Sequence, residues 1–288
     1  MEGELWNGLY HLVQSVGKRH RRPARIRFSD ACLLRVYLWA ALHDRPVCWA
    51  CQSKNWPPSE RWRSLPSPAT MSQRMRKLSF QQLLQAVIQE LRPSEPGLCR
   101  RLDSKPLPVG GFSKDRDARR GYATGGIARG YKMCCLWGKG VVPDAWGLGP
   151  LNLSDAEAGA EVLRDLSGGG YLLADATYGV NWLAEQSGAQ GLQLVAPRKK
   201  PERGLGHREH SAYRLRSIEL LEGPSPFGRA LYRDREQIER TYGQLTSFGG
   251  GLQPLPSWVR RPHRVAPWVA AKLLINAVRI LRHQGVAA

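Results

Sequence analysis

Three acids stand where a sequence of this kind can do chemistry. Asp103 follows Leu102 in the strand-like segment RLDSKPL, Asp175 ends the apolar run YLLAD, and Glu239 lies on the helical stretch REQIERTYGQL. Strand ends in open α/β sheets are where function gathers. A carboxylate buried there is costly unless a cation, a donor or solvent compensates it. Phosphodiester cleavage gives a reason to group the three. Carboxylates from neighbouring strands and one helix can hold two divalent ions roughly 4 Å apart, one activating a water or a 3′-hydroxyl and the other stabilising the leaving oxygen. Mg²⁺ suits such oxygen ligands, and Mn²⁺ shares the preference. Taken singly, each acid reads more readily as a helix cap or a surface ion pair; three together in this element order shift the balance. They lie 72 and 64 residues apart, so only a sheet that pairs distant strands can unite them.

The elements needed for that are visible. Leu102 to Val109 is a short extended run interrupted by prolines, and Tyr131 to Trp137 with Gly140 to Trp146 reads as a hairpin through Gly138-Lys139-Gly140. Ser154 and Glu157 have capping-box spacing at the head of a helix that runs to Leu166. Gly168-Gly169-Gly170 ends it, and the buried strand closing on Asp175 follows. Gly179 to Gly188 reads as a short helix, Leu192 to Ala196 as another buried strand, and the segment up to about Gly228 as polar loop. Tyr232 to Leu245 is predicted as one helix, with Ile238, Tyr242 and Leu245 as its apolar stripe. A last amphipathic helix covers Pro262 to His283. Strands alternating with helices in this order predict an α/β fold with a mixed sheet.

The amino-terminal third is different. Phe28 to His43 is helix-compatible with Ser29 as its cap, Trp56 to Pro68 reads as a turn or loop, and a second helix opens near Thr70 or Ser72 and ends before Pro93. Arg74, Arg76 and Lys77 fall in its first turns. Helix, irregular turn and a helix with a basic start is the layout of a helix-turn-helix DNA reader, and equally of any small helical domain. PSEPG, residues 93–97, reads as a linker. The expected division is therefore 1–97, helical and DNA-binding, and 98–288, catalytic and including the last helix.

Charge narrows the partner. Forty-three Lys and Arg against 24 Asp and Glu leave a net charge of +19 and a pI near 10.2, which favours encounter with a polyanion. No apolar run reaches the roughly 20 residues that span a bilayer, and the first 22 residues, ending in Lys18-Arg19-His20-Arg21-Arg22, lack a secretory h-region. A cytoplasmic location is expected. Six cysteines, including Cys48 and Cys51 at CxxC spacing and the pair Cys134 and Cys135, do not make a disulfide framework in a chain of this length. His207 and His210 sit in a polar Gly-rich stretch and read as solvated.

At the three acids the chain resembles the DDE transposases of bacterial insertion sequences, in the retroviral-integrase superfamily. In a large group of these the third acid lies in a signature of Tyr, two residues, Arg, three residues, Glu, six residues, Lys. Tyr232, Arg235 and Glu239 match it in type and spacing, whereas Thr246 stands where the pattern has Lys. Asp103-Ser104, Asp175-Ala176-Thr177-Tyr178-Gly179 and the run GLGPLNLSDAEAG are also similar to the family. The resemblance covers about Arg101 to Ser247. It implies an RNase H-like mixed sheet flanked by helices, preceded by a small helical, helix-turn-helix-like domain. It implies that Asp103, Asp175 and Glu239 are both catalytic and metal-binding, with two Mg²⁺ or Mn²⁺ ions. It also implies a homo-oligomer, a dimer in the synaptic complex, that binds terminal inverted repeats, cleaves the element ends and transfers the 3′-hydroxyls to target DNA. DNA-binding roles are expected for Tyr232, Arg235, Arg240, Lys199 and Lys200, and for Arg74, Arg76 and Lys77 in the helical domain. A non-catalytic DNA-binding regulator derived from a transposase, and an RNase H-like nuclease that never joins strands, are the alternatives.

Overall fold

In chain order the elements of the computed structural model are α1 (Glu2–Arg19), α2 (Asp30–Leu42), α3 (Val47–Ala50), α4 (Pro68–Arg74), α5 (Leu78–Glu90), β1 (Cys99–Pro108), β2 (Arg119–Ala123), β3 (Gly126–Trp137) and β4 (Ala145–Pro150), followed by α6 (Asp155–Leu163), β5 (Gly170–Leu173), α7 (Asn181–Ala189), β6 (Leu192–Val195), α8 (Ala212–Glu222), α9 (Phe227–Tyr232), α10 (Glu236–Thr246) and α11 (Pro262–His283). The structure describes residues 2–20, 26–60, 62, 64–95, 97–164, 166, 168–207 and 209–285. Arg21 and Arg22 of the basic run lie outside the described residues. Among those described, no helix is long and apolar enough to cross a membrane.

The chain forms two compact units, one of residues 93–243 and one of residues 1–92 with 244–288. The last helix, expected with the catalytic domain, therefore belongs with the amino-terminal helices. The reason is its apolar stripe. Val265, Trp268, Val269, Leu273 and Ile275 are buried, and α11 packs on α1, α2 and α5.

In this helical unit α1 is an element that the sequence reading did not place. Trp6, Leu9, Val13 and Val16 are buried at the three- and four-residue spacing that gives a helix one apolar side. Four tryptophans brace the unit: Trp6 meets Trp39 and Trp56, and Trp56 meets Trp62. The Trp-rich loop is thus part of the core. The second helix expected from Thr70 onward is instead α4, capped by Ser67, and α5, broken at Lys77, whose backbone is extended. Arg74, expected to reach DNA, pairs with buried Asp30 at 2.6 Å. Arg76 and Lys77 are exposed.

The other unit carries the sheet. Its strand order is β2-β3-β1-β5-β6, with β4 also pairing β3. β1 runs antiparallel to β3 and parallel to β5, and β5 is parallel to β6. The long β3 takes β2 along its first half and β4 along its second. Successive side chains alternate between faces. Leu102, Leu136, Leu172 and Leu194 fall on one face and are buried with Val162, Leu163, Leu183 and Ala184 from α6 and α7. Gly159 lets α6 close down: a methyl group there would lie 2.9 Å from the Leu102 side chain. This is the mixed, helix-flanked sheet that an RNase H-like fold requires. Ser154 and Glu157 form the expected capping box.

Two helical segments differ from expectation. The 212–222 stretch, read as loop, is α8. Its buried residues are polar, Arg214 and Ser217, and both bond to Ala196, so no apolar stripe announces it. The single helix from Tyr232 to Leu245 is in fact α9, a 3₁₀ turn at Arg233–Arg235 and then α10.

Candidate active site

Strand alternation sends Asp103 to the face opposite Leu102. In the parallel pairing of β1 and β5, Arg101 is opposite Leu173, and carrying that register two residues further sets Asp103 beside Asp175. Asp175 stands just past the end of β5, where its Oδ1 accepts from the Thr177 amide at 2.7 Å and from the Thr177 hydroxyl. Behind the pair, Ser104 Oγ and Tyr178 OH, 2.8 Å apart, join β1 to the turn that follows β5.

Burial pushes the Asp103 carboxyl up to about 6, although the Ser104 amide and Arg235 act the other way. Asp175 and Asp155 add to the rise. Asp155 is a further acid that the sequence reading did not associate with this site. It begins α6 and pairs with Lys132 at 2.8 Å. Lys105, two residues beyond Asp103 on the same face, also lies near and is pulled down by burial, which the charge of Asp103 opposes.

The segment carrying the third acid is tied to both acid strands. The Tyr242 hydroxyl donates to the Asp103 carbonyl at 2.9 Å, and the Tyr232 hydroxyl donates to the Ala174 carbonyl at 3.1 Å. Arg101 of β1 holds the intervening turn through its ion pair to Asp234. Tyr232 and Tyr242 thus hold this segment against β1 and the end of β5. Ile238 is buried beneath the helix, and its neighbour Glu239 faces outward. The Glu239 side chain is 67% exposed and meets Arg235 at 3.4 Å.

The structure therefore brings Asp103 and Asp175 together, and sets Glu239 one arginine away from them. Among the described residues no three His, Cys, Asp or Glu side chains converge as a metal site. The two aspartates do suit a hard divalent cation: they offer oxygen donors, and one of them is kept acid-weak by burial that a cation would relieve. Of the expected DNA contacts, Lys199, Lys200 and Arg240 are exposed. Arg198, in the same basic stretch, is held by Glu222.

An RNase H-like sheet with one aspartate midway along β1 beside another just past the end of β5, and an acid-bearing helix tethered to both, defines a nucleic-acid-processing fold of the transposase and nuclease class. The model of the transposase DDE domain matches residues 96–261, more than half of the chain, and the protein belongs to that family. Family membership carries DNA as the partner and divalent metal as the general requirement of the chemistry. No curated protein gives a significant match to the chain.

Proposed function

We propose that this transposase binds the terminal inverted repeats of its own element as a homo-oligomer, a dimer in the synaptic complex. It cleaves the DNA at those ends and joins the 3′-hydroxyls to target DNA. The observation that carries this reading is the register that sets Asp103 beside Asp175, with the Glu239 helix anchored on Asp103 through Tyr242. Asp103 and Asp175 would hold Mg²⁺ or Mn²⁺, and Glu239 would be the third donor once turned away from Arg235. Two such ions, when bound, would activate the attacking oxygen and offset charge on the leaving one. Tyr232 and Tyr242 position the acids. Lys199, Lys200 and Arg240 on one unit, and Arg76 and Lys77 on the other, offer contacts to phosphates, with the amino-terminal helices serving recognition. The protein would act in the bacterial cytoplasm, on the nucleoid.

The test is cleavage and joining of duplexes bearing the element ends, with Mg²⁺ or Mn²⁺ and again with a chelator. Asp103→Ala, Asp175→Ala and Glu239→Ala should each abolish both steps, as should the chelator. Activity that survives one substitution removes that residue from the site, and cleavage without joined products limits the enzyme to a nuclease. One observation favours a second reading, a DNA-binding regulator without catalysis: Glu239 is engaged by Arg235 and turned out. Binding unaffected by the alanine changes, with no cleavage under either metal, would establish it.

Thr246 sharpens the DNA side of the proposal. A hydroxyl replaces the charge that the family signature places there, so Thr246→Lys should restore one phosphate contact. The slope of log affinity against log salt should then steepen by about 0.9. An unchanged slope in a fluorescence titration would show that position 246 does not face DNA.

A further inference from the structure

The β2–β3 hairpin and the loop before it belong to none of the acid machinery, yet they are built with care. Tyr122 and Ile127 are directly opposed across the two strands and are 83% and 70% exposed, and Phe112 in the preceding loop is fully exposed. Exposed apolar side chains grouped in this way mark an interaction surface. The opposite side of β2 is already covered, because a methyl at Gly121 would lie 2.4 Å from the Leu151 carbonyl oxygen.

The loop is pinned beside the open side. Arg129, on β3, donates to the carbonyls of Ala118 and Ser113 at 3.0 and 2.8 Å. Tyr131 donates to Asp115 at 2.7 Å, and Asp115 is only 4% exposed. Turning that acid inward leaves its neighbours Lys114 and Arg116 outward, with Arg120 on the same face of β2 as Tyr122. The outer surface is thus cationic and aromatic, and it is held in shape before any partner arrives.

Its position matters as well. Asp103 pairs with Cys135 of β3, so eight residues of strand separate that level from Ile127. At ~3.3 Å per residue this is ~26 Å, in the direction in which β1 leaves Asp103. Duplex DNA rises ~3.4 Å per base pair, so the same span is about seven to eight base pairs.

We propose that the β2–β3 hairpin and its 110–118 loop form a DNA-holding arm that grips the duplex backbone about seven to eight base pairs from the acid pair. This rests on the transposase reading above. Charge selects the occupant: Lys114, Arg116 and Arg120 match phosphates, while Tyr122, Ile127 and Phe112 can lie against sugars and base edges. A second copy of this chain would bring the same cations, and a further net charge of +19, against them.

The test uses the full chain and a labelled random-sequence duplex, with binding followed over a range of salt. The triple variant Lys114→Gln, Arg116→Gln and Arg120→Gln should weaken binding at least tenfold at low salt. It should also flatten the log–log salt slope by up to about 2.7, close to 0.9 for each lost contact. Tyr122→Ser with Ile127→Ser should weaken binding while leaving the slope unchanged. Because these side chains are exposed, unchanged thermal midpoints will verify folding of each variant. A wild-type slope in the charge variant overturns the proposal. So does a change of sedimentation in the apolar variant with DNA binding intact, which would assign the surface to self-association. If the wild-type chain binds no duplex at all, the transposase reading falls with it, whereas a wild type that binds and an indifferent hairpin variant remove the arm alone.

Discussion

Asp103→Asn is expected to abolish cleavage and, at the same time, to make the metal-free protein more stable. Loss of a carboxylate that supports several kcal/mol of transition-state stabilisation corresponds to a fall of roughly a thousandfold or more in rate. The stability effect comes from the carboxyl itself, which burial raises from 3.8 to about 6. At 1.36 kcal/mol per unit, that difference amounts to about 3 kcal/mol of destabilisation when the group is ionised. The sign follows from proton uptake. Between these two values the folded chain binds the proton more tightly than the unfolded chain, so stability falls as pH rises through this window. Below it, acid and amide behave alike; above it, the full penalty applies. The substituted amide would keep an oxygen for the Ser104 N–H, which Asp103 accepts at 2.8 Å. Denaturant titrations at pH 7.5 and at pH 4 should therefore show a gap in favour of the variant at the higher pH alone. Mg²⁺ should stabilise the wild type by mass action and narrow that gap. A variant that is less stable at both pH values, or one that still cleaves, contradicts this account of the site.

Lys272→Ala should carry a large cost to folding of the helical unit. Lys272 sits in mid-α11 with no exposure. Its ammonium donates to the Ala41 carbonyl at 2.6 Å, the Gly250 carbonyl at 2.9 Å and Asp44 at 2.7 Å. It also lies 4.7 Å from the centre of the Trp268 ring. Burial pulls the lysine down, and Asp44 resists this. Removing Lys272 opens a cavity and leaves the buried Ala41 and Gly250 carbonyls without their donor, at about 1–3 kcal/mol each, while Asp44, whose side chain is 39% exposed, can turn to solvent. For a chain of this size that is a fall of about 10 °C in the melting transition. Asp44 holds a left-handed backbone at φ 52°, so the pair also clamps the turn after α2. Combining Lys272→Met with Asp44→Asn should recover part of the loss, and strict additivity of the two in a double-mutant cycle would show that they do not interact.

The elements that carry the three acids were legible because strand and helix periodicity leaves local marks. YLLAD is a buried strand that stops on an acid, and Ile238 with Tyr242 shows one apolar side of a helix whatever surrounds it. The same local marks mislead where burial is polar. Arg214 and Ser217 hide α8 because their inward contacts are hydrogen bonds to Ala196, and hydropathy does not register those. The break at Lys77, and the capture of Arg74 by Asp30, follow from packing within the helical unit and leave no trace in the spacing of basic residues. α11 reads correctly as an amphipathic helix, yet nothing in its own residues states that its stripe belongs with α1, α2 and α5.

For the three acids the division is clear. Residue types, periodicity and the family resemblance together nominated the three carboxylates, two on or beside strands and one on a helix, and the charge balance pointed to a polyanion. The tertiary structure decided what a one-dimensional pattern cannot carry. The parallel register of β1 and β5 places Asp103 beside Asp175, and burial at that junction raises the Asp103 carboxyl. The hydroxyls of Tyr232 and Tyr242 fix the third segment across β1 and the end of β5, and Arg235 then draws Glu239 outward. Those outcomes depend on which distant backbones meet, and that choice is made by the shared burial of whole faces and by hydrogen bonds between segments more than a hundred residues apart.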